Sequence, residues 1–422
     1  MTMHLSDTDL RILAGEKGDA ARLALRIIVR MAEVLGTKEL IEVSQAHIDG
    51  CGLLSDASLC FAELLAGKGA RVSIPTTLSM GPLDLQRWRE FGVPEEYAAR
   101  AIRQGRAYEA MGCLPTWTCA PYQGYLTPRF GQHLAWGESN AVCYANSVLG
   151  ARTNRCADYF DICAAICGKV PKTGLHLDEV RRGEVLVRLV GVAEDRWRED
   201  SEWSVLGHLL GPLVGNRIAV IEGLPRWATS DQLKALCAAA ASSGSVALFH
   251  AVGLTPEAPT RDAAFGGGVP EREVTLGPEE FERARGDLST SADAARLDEV
   301  VVGCPHFSYD EFVQLANLLR REPAGRFHEG TRFTVISSRS SEALMRGAGL
   351  SELFDEWGVR VTLDTCVFHT PLLAPGATSL MTNSGKCAYY APGELKVEVA
   401  FGTLFECVRS AVVGHVWREG GG

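Results

Sequence analysis

From about residue 216 the chain alternates short apolar runs with helical sequence, and this alternation narrows its possible folds more than any other feature. Residues 218–221, 246–251, 300–303, 333–336 and 359–363 read as strands. Residues 231–241 read as a helix between the first two. A further helix follows the strand at 300, opened by Ser308 and Glu311 at capping-box spacing. Parallel strands need long crossovers, usually helices, so the pattern predicts a parallel sheet flanked by helices.

The first half is less regular. Ser6 and Asp9 stand at capping-box spacing, and Leu23, Ile27, Met31 and Leu35 recur at helical intervals until Gly36 stops the run. Residues 39–45 predict a strand leading into His47-Ile48-Asp49-Gly50. Residues 56–67 predict a helix, and 71–74 a strand running into Pro75-Thr76-Thr77-Leu78-Ser79. Between 111 and 171 small residues, amides and cysteines stand where a plain core helix carries Leu and Ile, although 138–150 can still be helical. Residues 255–290, with Gly266-Gly267-Gly268 and a charged stretch at 278–285, read as a surface excursion.

Composition sets outer bounds. The 422 residues are 46% hydrophobic, enough for a large core divided into two or three lobes. A formal net charge of −10 repels phosphate backbones, so nucleic acid is not an expected partner. No apolar stretch of about 18 residues is present, so no membrane span is expected. The polar start, Met1 to Asp9, lacks the apolar core of a secretory signal, which points to the cytoplasm. There the thirteen cysteines are expected as thiols, metal ligands or small core residues rather than disulfides.

Open α/β sheets bind ligands outside the carboxyl ends of their strands. After 300–303 comes Cys304-Pro305-His306-Phe307-Ser308, and after 359–363 comes Asp364-Thr365-Cys366. Two cysteines therefore fall at one end of one predicted sheet. Cys119 lies in an irregular Trp-Thr-Cys-Ala-Pro segment that can reach the same place. Taken singly, each cysteine reads more simply as a small buried hydrophobe. No C-x-x-C motif supports a zinc ribbon or a ferredoxin-type cluster. Cys163 and Cys167, at i and i+4, read as core packing, and His250 and His306 as hydrogen-bonded structural histidines. Gly266–Gly268 lacks the lysine of a phosphate loop. Arg152, Arg155 and Arg339 are candidates for anion contact, weighed against ordinary surface ion pairs.

Longer strings are more specific. PTWTCAPY at 115–122, ESNAVCYANSVLGARTNR at 138–155 and DICAAICGKVP at 161–171 resemble the catalytic module of the aconitase X family. So do AHIDG at 46–50, PTTLS at 75–79, GCPHFS at 303–308, SSRS at 337–340, DTC at 364–366 and MTNSGKCAYYAPG at 381–393. The resemblance runs from about His47 to Gly414. It implies an α/β, aconitase-like, multi-lobed catalytic module with parallel sheets flanked by helices around a central cleft. Residues 1–414 are expected to form that module, the part from about 216 being a parallel-sheet lobe, with 415–422 a C-terminal tail.

The resemblance further implies a hydro-lyase that dehydrates a small hydroxy acid: cis-3-hydroxy-L-proline, giving Δ1-pyrroline-2-carboxylate, or alternatively mevalonate 5-phosphate. It implies an iron–sulfur cluster on Cys119, Cys304 and Cys366, with [4Fe-4S], [3Fe-4S] and [2Fe-2S] all open. An open iron would act as a Lewis acid on the substrate hydroxyl. Substrate contacts carried over by motif are His47, Asp49, Thr76, Thr77, Ser79, Glu138, Ser139, Asn140, Arg152, Asn154, Arg155, Arg339, Asn383 and Lys386. The family also uses a small swivelling domain bearing a serine base. No such module follows residue 414, so a separate small subunit is expected. Cys387 departs from the family pattern, which places an aromatic residue there; it reads as a neighbour of the cluster site or as packing. Two competing readings are a non-catalytic binding or regulatory relative, and a mononuclear zinc or iron hydrolase using Cys304, His306 and Cys366.

Overall fold

The computed structural model describes residues 3–53, 55–292 and 295–420. In the first lobe, α1 (Asp7–Leu13) opens with the Ser6–Asp9 capping box, and α2 (Asp19–Val34) buries Ala24, Leu25, Ile28 and Ala32. There follow β1 (Leu40–Glu42), β2 (Ala46–Ile48), α3 (Asp56–Gly67), β3 (Thr76–Leu78), α4 (Glu95–Ala110), β4 (Ala135–Trp136), α5 (Ser139–Ser147), α6 (Phe160–Cys167) and β5 (Lys169–Pro171). A parallel sheet runs in the order β3-β2-β4, while β1 pairs antiparallel with β5. Of the strand expected at 39–45 only Leu40–Glu42 forms, and a second strand, β2, follows where the chain was expected to have left the strand. Between them Val43 N bonds Gly168 O and Ser44 N bonds His133 O, as the chain crosses from one sheet to the other. The strand expected at 71–74 forms later, as β3. Val72 and Ser73 bond two unrelated carbonyls, Met111 and Ala165, and so build no ladder.

The second lobe contains β6 (Val185–Leu189), α7 (Asp200–Val214), β7 (Ala219–Glu222), α8 (Ser230–Gly244), β8 (Phe249–Ala251), α9 (Arg261–Phe265), β9 (Arg272–Leu276) and α10 (Pro278–Asp287). Its sheet is parallel, in the order β8-β7-β6-β9. The expected excursion at 255–290 is therefore part of the fold. Being an edge strand, β9 exposes Arg272, Glu273 and Thr275, which is why it reads as polar surface. Helices α7 and α8 approach backbone to backbone: a Cβ on Gly244 would lie 2.3 Å from Gly211 Cα, so only glycine fits there.

The third lobe contains β10 (Glu299–Phe307), α11 (Tyr309–Arg321), β11 (Arg332–Ser337), α12 (Arg339–Gly347), α13 (Ser351–Trp357), β12 (Arg360–Leu363), β13 (Ser379–Thr382), α14 (Gly385–Glu394), β14 (Glu398–Phe401) and α15 (Leu404–Val413). The strands after residue 216 therefore divide between two sheets. The third-lobe order is β12-β11-β10-β13-β14, parallel throughout. The winding direction reverses between β10 and β13, and such a switch point opens a crevice at the carboxyl ends of the strands. Residues 415–420 do not trail away. His415 bridges to Arg296, and Trp417 sets its ring 5.6 Å from Phe405; residues 421–422 of the expected tail lie outside the described residues. Among the described residues no helix is long and apolar enough to cross a membrane.

Candidate active site

Three cysteines far apart in sequence arrive at the crevice by one backbone device. Gly303, immediately before Cys304, has φ +94, and a Cβ there would stand 2.0 Å from Ile336 O. Trp117 and Asp364, each two residues before a cysteine, take φ +45 and +66, a region unfavourable to residues other than glycine. Gly81 helps hold both: its N–H donates to Asp364 O at 2.6 Å, and the Trp117 ring occupies the space its missing side chain leaves. Each left-handed residue turns the chain so that Cys119, Cys304 and Cys366 line one cavity of about 300 Å³.

The chemistry of this donor set suits a thiolate-held group. Cys119 Sγ accepts from His306 N at 3.3 Å, and Cys366 Sγ from Phe368 N at 3.4 Å. The Cys387 thiol donates to Cys304, and with the Lys386 ammonium and Ser384 it holds Cys304 below the ordinary thiol value despite burial. Cys387 is thus a neighbour of the candidate ligand Cys304. Burial raises Cys119 and pushes Cys366 up to about 12, so both would release protons on taking up a metal group. A single ion is a poorer match. Among the described residues no three His, Cys, Asp or Glu side chains gather closely enough to hold one ion. Moreover, both ring nitrogens of His306 are engaged, by Thr118 Oγ1 at 3.1 Å and Thr365 O at 2.8 Å. A cluster is larger than one ion and takes thiolates that stand further apart.

Lys386 supplies the positive charge. Its Nζ donates to Glu138 Oε1 at 2.8 Å. Burial opposes its charge, but Glu138, Cys304 and Cys119 outweigh burial and hold it above its ordinary value. Glu138 caps α5, accepting from Ala141 N at 2.8 Å and Asn140 Nδ2 at 2.5 Å. Burial raises its carboxyl, yet Lys386 and these donors keep it below the usual range. Asn140 also donates to Cys119 O at 3.2 Å, which ties α5 to the cysteine loop.

The other motif-derived residues divide. Behind Glu138, His47 is buried with Nδ1 2.8 Å from Thr77 Oγ1, and burial lowers it to about 4. Burial, followed by Glu138, Asp158 and Asp161, pushes Asp49 up to about 7. His47 Nε2 and Asp49 Oδ1 have no partner among the described residues. Ser79 is buried next to Met80, a cavity residue, and Ser139 lies next to Glu138 at 3.5 Å. Thr76 turns its hydroxyl to Ile74 O. Asn383 lines a second, smaller cavity that shares only Gly303, Cys304 and Pro305 with the first. Arg339 pairs with Asp364 rather than presenting a free guanidinium. Three residues of the 138–155 string stand away from the cavity. Arg152 pairs with Asp178, Asn154 bonds the backbone of Thr173 and Leu175, and Arg155 is exposed beside the Trp136 backbone. Their backbones continue the edge of the first-lobe sheet, past the point where α5 leaves the cavity. Residue patterns missed His369, Tyr390 and Glu394, which also line the cavity; the first follows Cys366 by three residues and the others continue α14 beyond Lys386.

Residues 2–179, 183–286 and 297–413 match, in turn, the first, second and third domains of aconitase X. Over 410 residues the chain is 45% identical to the cis-3-hydroxy-L-proline dehydratase of Pseudomonas aeruginosa, a match spanning 96% of this chain and 70% of that protein. It is 35% identical over 415 residues to the phosphomevalonate dehydratase large subunit of Methanothermobacter thermautotrophicus, spanning 96% of this chain and 98% of that one. The solved holo-form of Thermococcus kodakaraensis aconitase X superposes with a TM-score of 0.86 at 31% identity, covering 97% of this chain and 100% of that one.

Proposed function

From the premise that this chain belongs to the aconitase X family, whose named relatives are dehydratases, we propose that it dehydrates cis-3-hydroxy-L-proline to Δ1-pyrroline-2-carboxylate in the cytoplasm. In this reading an iron–sulfur cluster is held by Cys119, Cys304 and Cys366, and a small swivelling subunit completes the site. The convergence of these three cysteines on one cavity around Lys386 carries the reading. Bound there, the cluster would supply a Lewis-acidic iron to the departing hydroxyl.

This chain's own residues would orient the substrate. Lys386 has three N–H donors and gives one to Glu138, so it can also hold a carboxylate. Glu394, on the cavity lining, offers a carboxylate to the ring ammonium. One ammonium and one carboxylate on the cavity lining complement an amino acid. Identity supports the same choice: 45% to the hydroxyproline enzyme against 35% to the phosphomevalonate subunit. The printed name of the phosphomevalonate relative, a large subunit matched over 98% of its length, supports a small-subunit partner, which in this reading brings the serine base.

The test is co-expression with the candidate small subunit, anaerobic purification and assay of both substrates. The expected outcome is turnover of cis-3-hydroxy-L-proline by the pair. The chain alone should lack the general-base contribution, typically about 10²–10⁴-fold. Turnover of mevalonate 5-phosphate instead would reassign the substrate, and a colourless, iron-free pair would favour a non-catalytic relative.

A further inference from the structure

We propose that His306 is a positioning residue that holds the three cysteine-bearing segments at cluster-ready spacing before any cluster arrives, with Lys234 anchoring it from behind. This rests on the reading of Cys119, Cys304 and Cys366 as ligands.

The three segments come from residues around 119, 304 and 366, so nothing local in the chain fixes their separation. His306 touches all of them. It follows Cys304 by two residues, and its backbone N–H donates to Cys119 Sγ at 3.3 Å. Ring Nε2 lies 2.8 Å from Thr365 O, beside Cys366. A carbonyl only accepts, so Nε2 carries the hydrogen; Nδ1 is then the acceptor for the Thr118 hydroxyl at 3.1 Å, beside Cys119. The residue is 2% exposed, and both ring nitrogens are spent on protein groups. Its role is therefore to hold segments together rather than to bind metal.

A second tie lies behind it. The His306 carbonyl accepts from Lys234 Nζ of α8 at 3.2 Å. Lys234 is buried between Asp231 at 2.9 Å and Glu311 at 2.5 Å. Asp231 accepts from Ser308 Oγ at 2.6 Å and from Gln123 Nε2 at 3.0 Å. Glu311 accepts from Ser308 N at 2.7 Å. Ser308 and Gln123 each lie four residues beyond a cysteine, so the second lobe clamps the same two segments again. Partners that orient ligands lower the ordering cost of binding, and losing one typically costs about 10–100-fold in metal affinity.

The experiment compares wild type with His306→Leu, His306→Gln, Thr118→Val and Thr118→Ser. Each protein, metal-free, is reconstituted anaerobically with iron and sulfide. Iron per chain, the rate of iron loss to a chelator and the melting point of the metal-free protein are then measured. Iron loss from His306→Leu is expected to be roughly 10–100-fold faster than from wild type. His306→Gln, whose amide can still donate toward Thr365 O, should recover part of that. Thr118→Val, which removes the donor to Nδ1 and also the acceptor of the Ala120 N–H, should show the smallest acceleration, and Thr118→Ser, which keeps both bonds, should show none. If His306→Leu does not fold, Thr118→Val against Thr118→Ser decides. Wild-type iron loss in the folded His306 variants and in Thr118→Val would overturn the positioning role while leaving the ligand reading intact. A wild-type chain that takes up no iron or sulfide would overturn both.

Discussion

Cys51, Cys113, Cys156 and Cys163 sit in the first lobe around the Asp161 carboxylate, whereas Cys119, Cys304 and Cys366 sit around the Lys386 ammonium. Burial alone does not separate the groups, since Cys119 is as enclosed as Cys156, each being 6% exposed. Charge does. Burial raises these four thiols and Asp161 adds to it, joined at Cys51 by Asp49, with no cation among the described residues to offset either. In the second group Lys386 opposes burial at every sulfur, and at Cys304 the balance falls below the ordinary thiol value. Glu138 also faces all three sulfurs, and at Cys119 it outweighs Lys386, so what marks this set is the shared cation and N–H donors rather than freedom from a carboxylate.

Removing the cation should break this contrast most severely. Lys386→Met leaves Glu138, 2% exposed, as a buried carboxylate without its partner. A loss of about 3–5 kcal/mol is expected in denaturant unfolding of the metal-free chain. Adding Glu138→Gln should restore much of the stability and none of the dehydration. Stability restored together with activity would show that Lys386 serves only the fold.

The carboxylate side can be tested by pH. Burial pushes Asp161 up to about 7, although it accepts from the backbone N–H groups of Gly50, Ile162 and Asp49. Its folded pKa lies above the unfolded value, so its contribution to stability is full below about 4 and is lost as pH rises through about 7. The stability difference between wild type and Asp161→Asn should therefore shift against wild type between pH 5 and pH 8. A pH-independent difference would mean that Asp161 is ionised throughout.

A smaller effect is expected at Arg339, whose guanidinium is spent on Asp364 near Cys366 and is partly exposed. Arg339→Lys should leave kcat/KM within about fivefold, the equivalent of roughly 1 kcal/mol. A hundredfold loss would restore Arg339 as the substrate's carboxylate clamp. The smallest effect belongs to Arg152, paired with an exposed aspartate away from the cavity. Arg152→Lys should not change kcat/KM measurably.

The same contrast explains what the sequence could reveal. Helix starts were legible because a capping box is written within four residues, as at Ser6 and Ser308. Cys366 was legible because it closely follows the end of β12, whereas Cys304, expected just past a strand, lies within β10, beyond Val302 where the regular pairing with β11 is interrupted. The crossing between β1 and β2 was not, because it depends on Gly168 and His133, more than 85 residues away in sequence. Strand β9 was hidden by its own edge position. Within the 138–155 string, Glu138 and Asn140 reach the cavity while Arg152, Asn154 and Arg155 do not. Family likeness marks the whole string, but only the course of α5 decides which end faces the cleft. His306 was read as a structural histidine from its sequence context; the three segments it joins become visible only when the lobes are assembled.

The central claim is best tested by iron and acid-labile sulfide content after anaerobic reconstitution of four single variants. Cys119→Ser, Cys304→Ser and Cys366→Ser should each lose the cluster and its visible absorbance while remaining soluble, and Cys163→Ser should keep both. Full iron and sulfide in Cys304→Ser would contradict the assignment.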